Sequence, residues 1–287
     1  MPSAFYFCKM IKLGQYNRLT AVRSTRHGMY LADEEGREVL LPRKYVPKDF
    51  TEEQSLEVFV FNDSEDRPTA TTLAPKILLH QVAFLQVKQV NKFGAFLDWG
   101  LEKDLLVPFR EQRSEMQKGK SYLVYLYEDE ESQRLVATNK WYKFINNEEL
   151  TVEQDEEVDL VVANSTDLGI NVIINHKHVG LIYKNELFRS LRPGDQVKGY
   201  IKLIRPDNKI DVRLQREGYA HVEPNADKIL QILQANDGFL GLHDGSSPDD
   251  IRAQLEMSKK TFKKAIGALY KKKLIEIKSK GIYLIKN

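Results

Sequence analysis

The chain has a single cysteine, Cys8, among 287 residues. Neither an intramolecular disulfide nor a cysteine-based metal cluster is open to it, and a partly buried thiol is the expected state of that side chain. Long apolar runs are missing too. None approaches the roughly 20 residues that span a bilayer, and Met1-Pro2-Ser3-Ala4-Phe5-Tyr6-Phe7-Cys8-Lys9 lacks the layout of a secretory signal. A cytoplasmic protein with no membrane partner is expected. Charge of one sign is not in excess either: 43 Lys and Arg against 41 Asp and Glu leave +2. That total says little, because acids cluster at 148–159 while lysines crowd the tail. A basic tail on a near-neutral protein points to a local anionic partner rather than a general affinity for polyanions.

Catalytic signatures are absent as well. The sequence has no Gly-rich phosphate loop with Gly-Lys-Ser/Thr, no His-Glu-x-x-His and no Gly-x-Ser-x-Gly. Gly238-Phe239-Leu240-Gly241 reads as a turn rather than a backbone clamp. His176-Lys177-His178 reads as an exposed turn rather than a metal site, because Asn175 marks a hairpin bend and no cysteine is near. The acidic residues of 148–159 read as a solvated linker. No catalytic residue, no metal and no cofactor is therefore expected, and the chain is not expected to be an enzyme.

What is present is a repeat. His27-Gly28-Met29-Tyr30 leads to Val39-Leu40-Leu41-Pro42, Phe93-Gly94-Ala95-Phe96 to Leu105-Leu106-Val107-Pro108, and Leu168-Gly169-Ile170-Asn171 to Gly180-Leu181-Ile182-Tyr183. A further β-type run follows each copy, and then a turn and one basic residue, Arg67, Arg134 or Lys209, that opens a last strand. Internal periodicity of this length means repeated domains. Five short β runs per copy fit a five-stranded Greek-key barrel of the OB type, whose open face binds single-stranded nucleic acid.

Towards the C-terminus the apolar period changes from strand-like to helical. Ala226 to Leu233 reads as one helix. Ser247-Pro248 places an N-cap and a first-turn proline at the start of a second. Ser258 caps a third, in which Phe262, Ala265, Ile266, Leu269 and Tyr270 fall on one apolar face. Ile275 and Ile277, then Ile282 and Leu284, flank Ser279-Lys280-Gly281 as a β wing. The tail is expected to be a winged helix-turn-helix.

These repeats resemble the S-one module, the RNA-binding OB barrel repeated in the largest ribosomal protein of the small subunit. Taken whole, the chain resembles the conserved virulence factor B family of bacteria, which joins three such modules to a winged helix. Pro193-Gly194-Asp195-Gln196-Val197-Lys198 in the third repeat and Met257-Ser258-Lys259-Lys260-Thr261-Phe262 in the tail carry the likeness most specifically. The expected fold is mainly β with a C-terminal α+β domain: barrels at 1–75, 76–147 and 148–218, then a winged helix at 219–287. Pro42, Pro108 and Tyr183 replace the histidine of the family's third strand.

The resemblance implies RNA as the partner and a role in gene expression after transcription. Bases would stack on His27, Tyr30, Phe93 and Phe96, a contact worth about 1–3 kcal/mol per base and tolerant of sequence. Phosphates would meet Arg67, Lys92 and Arg134. The third repeat lacks both rings and is expected to be a spacer, and Trp141-Tyr142-Lys143-Phe144 is expected to dock on a neighbouring barrel. On the third helix Lys260, Lys263, Lys264 and Lys271 lie opposite the apolar face and are candidate contacts to a nucleic-acid backbone. The winged helix would hold either duplex nucleic acid or a protein. The alternative function is a DNA-binding transcription regulator acting through that domain.

Overall fold

In a computed structural model the chain divides into two compact units between Val212 and Arg213. Residues 11–187, 189–214 and 224–285 are described; Cys8 lies outside them. Three five-stranded sheets make up the first unit. The first comprises β1 (Tyr16–Thr25), β2 (Gly28–Ala32), β3 (Glu38–Pro42), β4 (Ser55–Asn62) and β5 (Pro68–Thr71). The second comprises β6 (Val82–Asn91), β7 (Gly94–Asp98), β8 (Leu105–Pro108), β9 (Ser121–Asp129) and β10 (Arg134–Thr138). The third comprises β11 (Glu157–Ser165), β12 (Gly169–Ile174), β13 (His178–Tyr183), β14 (Gln196–Ile204) and β15 (Ile210–Arg213). A single 3-10 turn follows the third strand of each, at Arg43–Tyr45, Phe109–Glu111 and Lys184–Glu186.

The strand order is the same in all three, and the first and third sheets close into barrels through a parallel pair, Leu40 with Thr69 and Gly180 with Ile210. In the second, whose repeat pattern is the fullest, β8 and β10 are the outer strands of the five-stranded sheet and pack against one another. A bulge recurs at one place in the first strand of each copy, between Ala21 and Arg23, Val87 and Gln89, and Val162 and Asn164. An extra residue there bends the strand so that one short sheet can wrap round a core.

Alternation builds each barrel's interior, with Leu19, Leu31, Leu41, Val58, Val60 and Ala70 buried together in the first. The outward residues of β4 are buried as well: Phe59 and Phe61 pack against Trp99 of the second barrel, with centroids 5.8 and 6.3 Å apart. Each large ring buried this way contributes roughly 1.5–3 kcal/mol. The ion pairs that also link these barrels, such as Lys44 with Glu102, are exposed and worth about 0–1 kcal/mol each. Apolar docking, not charge, joins the first two barrels.

The linker after β10 docks as expected. Ile145 is buried among Val82, Leu123, Tyr125, Val161 and Ile173, residues of both the second and third barrels. Phe144 stacks on Tyr125 at 4.7 Å. The Asn175-His176 bend is a turn with both residues at positive φ, 49° and 58°. Its histidines are not exposed, which corrects the sequence reading. His178 is buried, with ring nitrogens on Thr151 and the Asn146 carbonyl, and the Val82 N–H donates to His176 Nδ1 at 3.1 Å. Burial holds the His176 pKa below its usual value. These imidazoles serve the junction of two barrels, and among the described residues no group of acidic, histidine or cysteine side chains is placed to hold a metal ion.

The second unit has α1 (Pro224–Ala235), β16 (Phe239–Leu240), α2 (Pro248–Leu255), α3 (Lys259–Lys271), β17 (Ile275–Lys278) and β18 (Gly281–Leu284). Ser247 and Ser258 cap α2 and α3, each accepting from a backbone N–H three residues on at 3.1 Å. Phe262, Ala265, Ile266 and Leu269 face the core, packed with Ile229, Leu233, Ile251 and Ile282. Tyr270, placed on that face by spacing, is 58% exposed. It lies about 90° round the helix from the centre of the stripe, so it sits at the edge. No helix among the described residues is long and apolar enough to cross a membrane.

Candidate nucleic-acid interface

The hairpin from β6 to β7 sets the geometry. Asn91 Oδ1 accepts from the Phe93 N–H at 2.9 Å and tightens the turn. Gly94 follows at φ 149°, and a Cβ there would lie 2.3 Å from the Val107 carbonyl oxygen of β8. Gly28 and Gly169 stand equally close, at 2.1 and 2.0 Å, to Leu41 and Ile182 carbonyls. Glycine is thus demanded by the close approach of the second and third strands, and the side chains beside it are left to face outward.

In the second barrel those side chains are rings. Phe93 is 61% exposed, and the Lys92 amine sits 5.1 Å from its centroid. Phe96 is half-buried on β7. Both line a cavity of about 530 Å3 between the first two barrels, whose opposite wall is the β4–β5 turn with Asn62, Ser64 and Asp66. Its size lies within the range of about 300–1,000 Å3 usual for small-ligand sites.

In the first barrel the pair is less open. His27 is exposed and accepts from Arg26 Nε at 2.9 Å. Tyr30 is half-buried under the Arg23 guanidinium, 3.6 Å from the ring centroid, while Arg23 also reaches Glu38 at 2.7 Å. One face of Tyr30 is therefore already stacked. The third barrel presents Leu168, 66% exposed, and Asn171 at the matching places.

Two of the three candidate cations of the first two barrels, Arg67 and Arg134, are in contact with acids. Arg67 reaches Asp63 and Glu65, each at 2.8 Å, in its own turn. Burial raises the Asp63 carboxyl, but hydrogen bonds from Arg67 outweigh it and hold its pKa below the usual carboxylate range. Arg134 bonds Asp66 of the first barrel across the cavity. Lys92 makes no ion pair with an acid among the described residues. In the third barrel Lys198, Lys202 and Lys209 pair with Asp159, Glu186 and Asp207. On α3, Lys260, Lys263, Lys264 and Lys271 are all exposed, with Tyr270 beside them.

Sequence reasoning missed Asp66 and Lys103. The Lys103 amine donates to the Asn62 and Asp63 carbonyls at 3.1 and 2.6 Å and lies 3.8 Å from Asp66. Burial pushes its pKa down, opposed by Asp66. The acidic run Asp63-Ser64-Glu65-Asp66 was visible in the sequence, but its position against the second barrel was not. Arg205 was missed too: it bonds Asp211 and the hydroxyl of Tyr183, the residue at the place where the first two barrels carry Pro42 and Pro108.

Residues 13–73 and 81–140 match the S1 domain, and residues 227–284 match the CvfB-like winged helix domain. The uncharacterized protein YitL of Bacillus subtilis is 28% identical over 277 residues, covering 90% of this chain and 89% of that protein. Conserved virulence factor B of Staphylococcus epidermidis is 28% identical over 254 residues, covering 83% and 82%. A multidomain protein with nucleic acid binding domains from Streptococcus pneumoniae superposes with a TM-score of 0.40 at 24% identity, over 95% of this chain and 98% of that one. The domains of this chain are of nucleic-acid-binding types.

Proposed function

The chain belongs to the conserved virulence factor B family, and from that premise we propose that it is a non-catalytic RNA-binding protein of the cytoplasm that acts on gene expression after transcription. The observation that carries this reading is the pair Phe93 and Phe96, set beside one another on a face open to a cavity. A ring that the core does not need is a platform for an unpaired base, and stacking of that kind asks for single strands. The four parts, 1–75, 76–147, 148–218 and 219–287, are read as three barrels and a winged helix with separate duties. Stacking falls to the second barrel and, more weakly, to His27 and Tyr30 in the first. Backbone contact falls to Lys92 and to the exposed Lys260, Lys263, Lys264 and Lys271; Arg67 and Arg134 are engaged by acids and contribute less.

A second reading, duplex DNA held by the winged helix for transcriptional control, is favoured by the exposed lysines of α3. Against base reading there, no Arg or Asn lies among the residues of α3, and these are side chains that read base edges bidentately. One titration separates the two: labelled single-stranded RNA and duplex DNA of equal length, each at two salt concentrations. RNA is expected to bind more tightly at both, with a shallower salt slope than a purely electrostatic complex gives. Tighter binding of duplex DNA at both would replace the first reading with the second.

A further inference from the structure

The cavity between the first two barrels has a charge pattern that phosphate does not fit. Three carboxylates, Asp66, Glu102 and Asp104, line it against two cations, Lys103 and Arg134. Both cations are turned to the first barrel: Arg134 bonds Asp66, and Lys103 donates to the carbonyls of Asn62 and Asp63. Glu102 and Asp104 are paired in turn with Lys44 and Lys88, so a phosphate entering here would find both cations of the lining already engaged. The walls are otherwise apolar or aromatic, with Phe93 and Phe96 on one side. Asn62 Oδ1, in the same lining, is buried and has no hydrogen-bond partner. An acceptor left in that state is costly and is normally met by a donor.

We propose that this cavity is a base-selective pocket: it takes one uncharged nucleobase against Phe93 and Phe96, and it prefers bases that carry an exocyclic amine. A carboxylate offers about four lone-pair sites, so Asp66 retains acceptor capacity while bound to Arg134. The amine of cytosine or adenine gives Asp66 a donor; the carbonyl of uracil at the same position does not. Asp66 therefore has two effects. It selects the base, and it withholds Arg134 from the sugar-phosphate backbone. This inference rests on the single-stranded RNA reading above and adds the chemistry of the base.

Cytosine and uracil differ along one edge, an exocyclic amine beside an N3 acceptor in the first and a carbonyl beside an N3–H donor in the second, and so give the sharpest test. Fluorescence anisotropy with homopolymeric oligocytidylate, oligoadenylate and oligouridylate of equal length is expected to show the first two binding the full chain about tenfold more tightly than the third, a difference of about 1.4 kcal/mol. Asp66→Asn removes the acidic acceptor and frees Arg134. Asp66 sits at φ 62°, a conformation that asparagine tolerates well, and the apolar contact of Phe59, Phe61 and Trp99 holds the barrels without it. In this variant the preference is expected to shrink, while binding of all three oligomers gains a steeper salt dependence. Arg134→Gln is expected to keep the preference. Equal binding of cytidylate and uridylate by the unaltered chain, or a preference unchanged by Asp66→Asn, overturns the proposal while leaving RNA binding intact. No binding of any oligomer overturns the RNA reading itself.

Discussion

The second and third barrels share strand order, the bulge in the first strand, and the glycine pressed against a carbonyl of the third strand. They differ on the face beside that glycine: Phe93 and Phe96 in one, Leu168 and Asn171 in the other. A barrel of this topology thus closes without rings at these positions. Charge differs as well. Asp129 begins the β9–β10 turn, accepting from Ser132 and Glu131 N–H groups, while Arg205 stands at the equivalent point between β14 and β15. What the barrels hold in common is what closure needs, and what separates them is free to serve a ligand.

The largest expected effect breaks the comparison at the rings. Phe93→Ala with Phe96→Ala should weaken binding of single-stranded RNA by about 2–6 kcal/mol, two stacks lost without compensation. Leu168→Ala with Asn171→Ala should leave it unchanged, both read by anisotropy on variants whose folded state is checked by circular dichroism. Unchanged affinity in the folded first variant makes those rings structural. Next comes what the barrels share. Gly94→Ala and Gly169→Ala place a Cβ 2.3 and 2.0 Å from a backbone oxygen, and both should cost about 3 kcal/mol or more in chemical denaturation. A cost at one site alone would mean that the two hairpins are not equivalent. Smaller is the reverse graft: Leu168→Phe should add about 1 kcal/mol of RNA affinity if an exposed ring beside the glycine is enough.

The smallest effect concerns pH. Asp98 is held below the usual carboxylate range chiefly by Lys76, and Asp129 by hydrogen bonds from Ser132. A carboxyl with a lowered folded pKa contributes stability in full above its unfolded value, near 3.9, and loses it as pH falls through the folded value. The second barrel depends on both, whereas the lowered carboxyl of the third, Asp207, lies on an exposed turn with Lys209, where solvent screens it. Amide hydrogen exchange should therefore show the second barrel losing protection before the third as pH is lowered from neutral to about 3.

Much of the architecture was legible in residue order. The repeat spacing gave the strands, Ser247 and Ser258 gave two helix starts, and the switch of apolar period separated the winged helix from the barrels. Tyr270 was misplaced because spacing fixes an angle but not the width of the buried stripe. His178 was misread because the groups that satisfy it, Thr151 and the Asn146 carbonyl, come from a segment 27 to 32 residues away. The alternation in β4 correctly named an inner face and an outer one, yet Phe59 and Phe61 on the outer face are covered by Trp99.

The sequence by itself determined the local conformations: where the chain bends, which residues need glycine, and which side chains point into each barrel. These follow from backbone sterics and from a period of two or 3.6, both of which act over a few residues. The tertiary structure decided which outer faces stay open and which charges stay available. Arg134 and Asp66 are 68 positions apart, and their contact depends on how one barrel docks on the next. That docking is driven by non-directional burial of apolar surface, which no short-range pattern records.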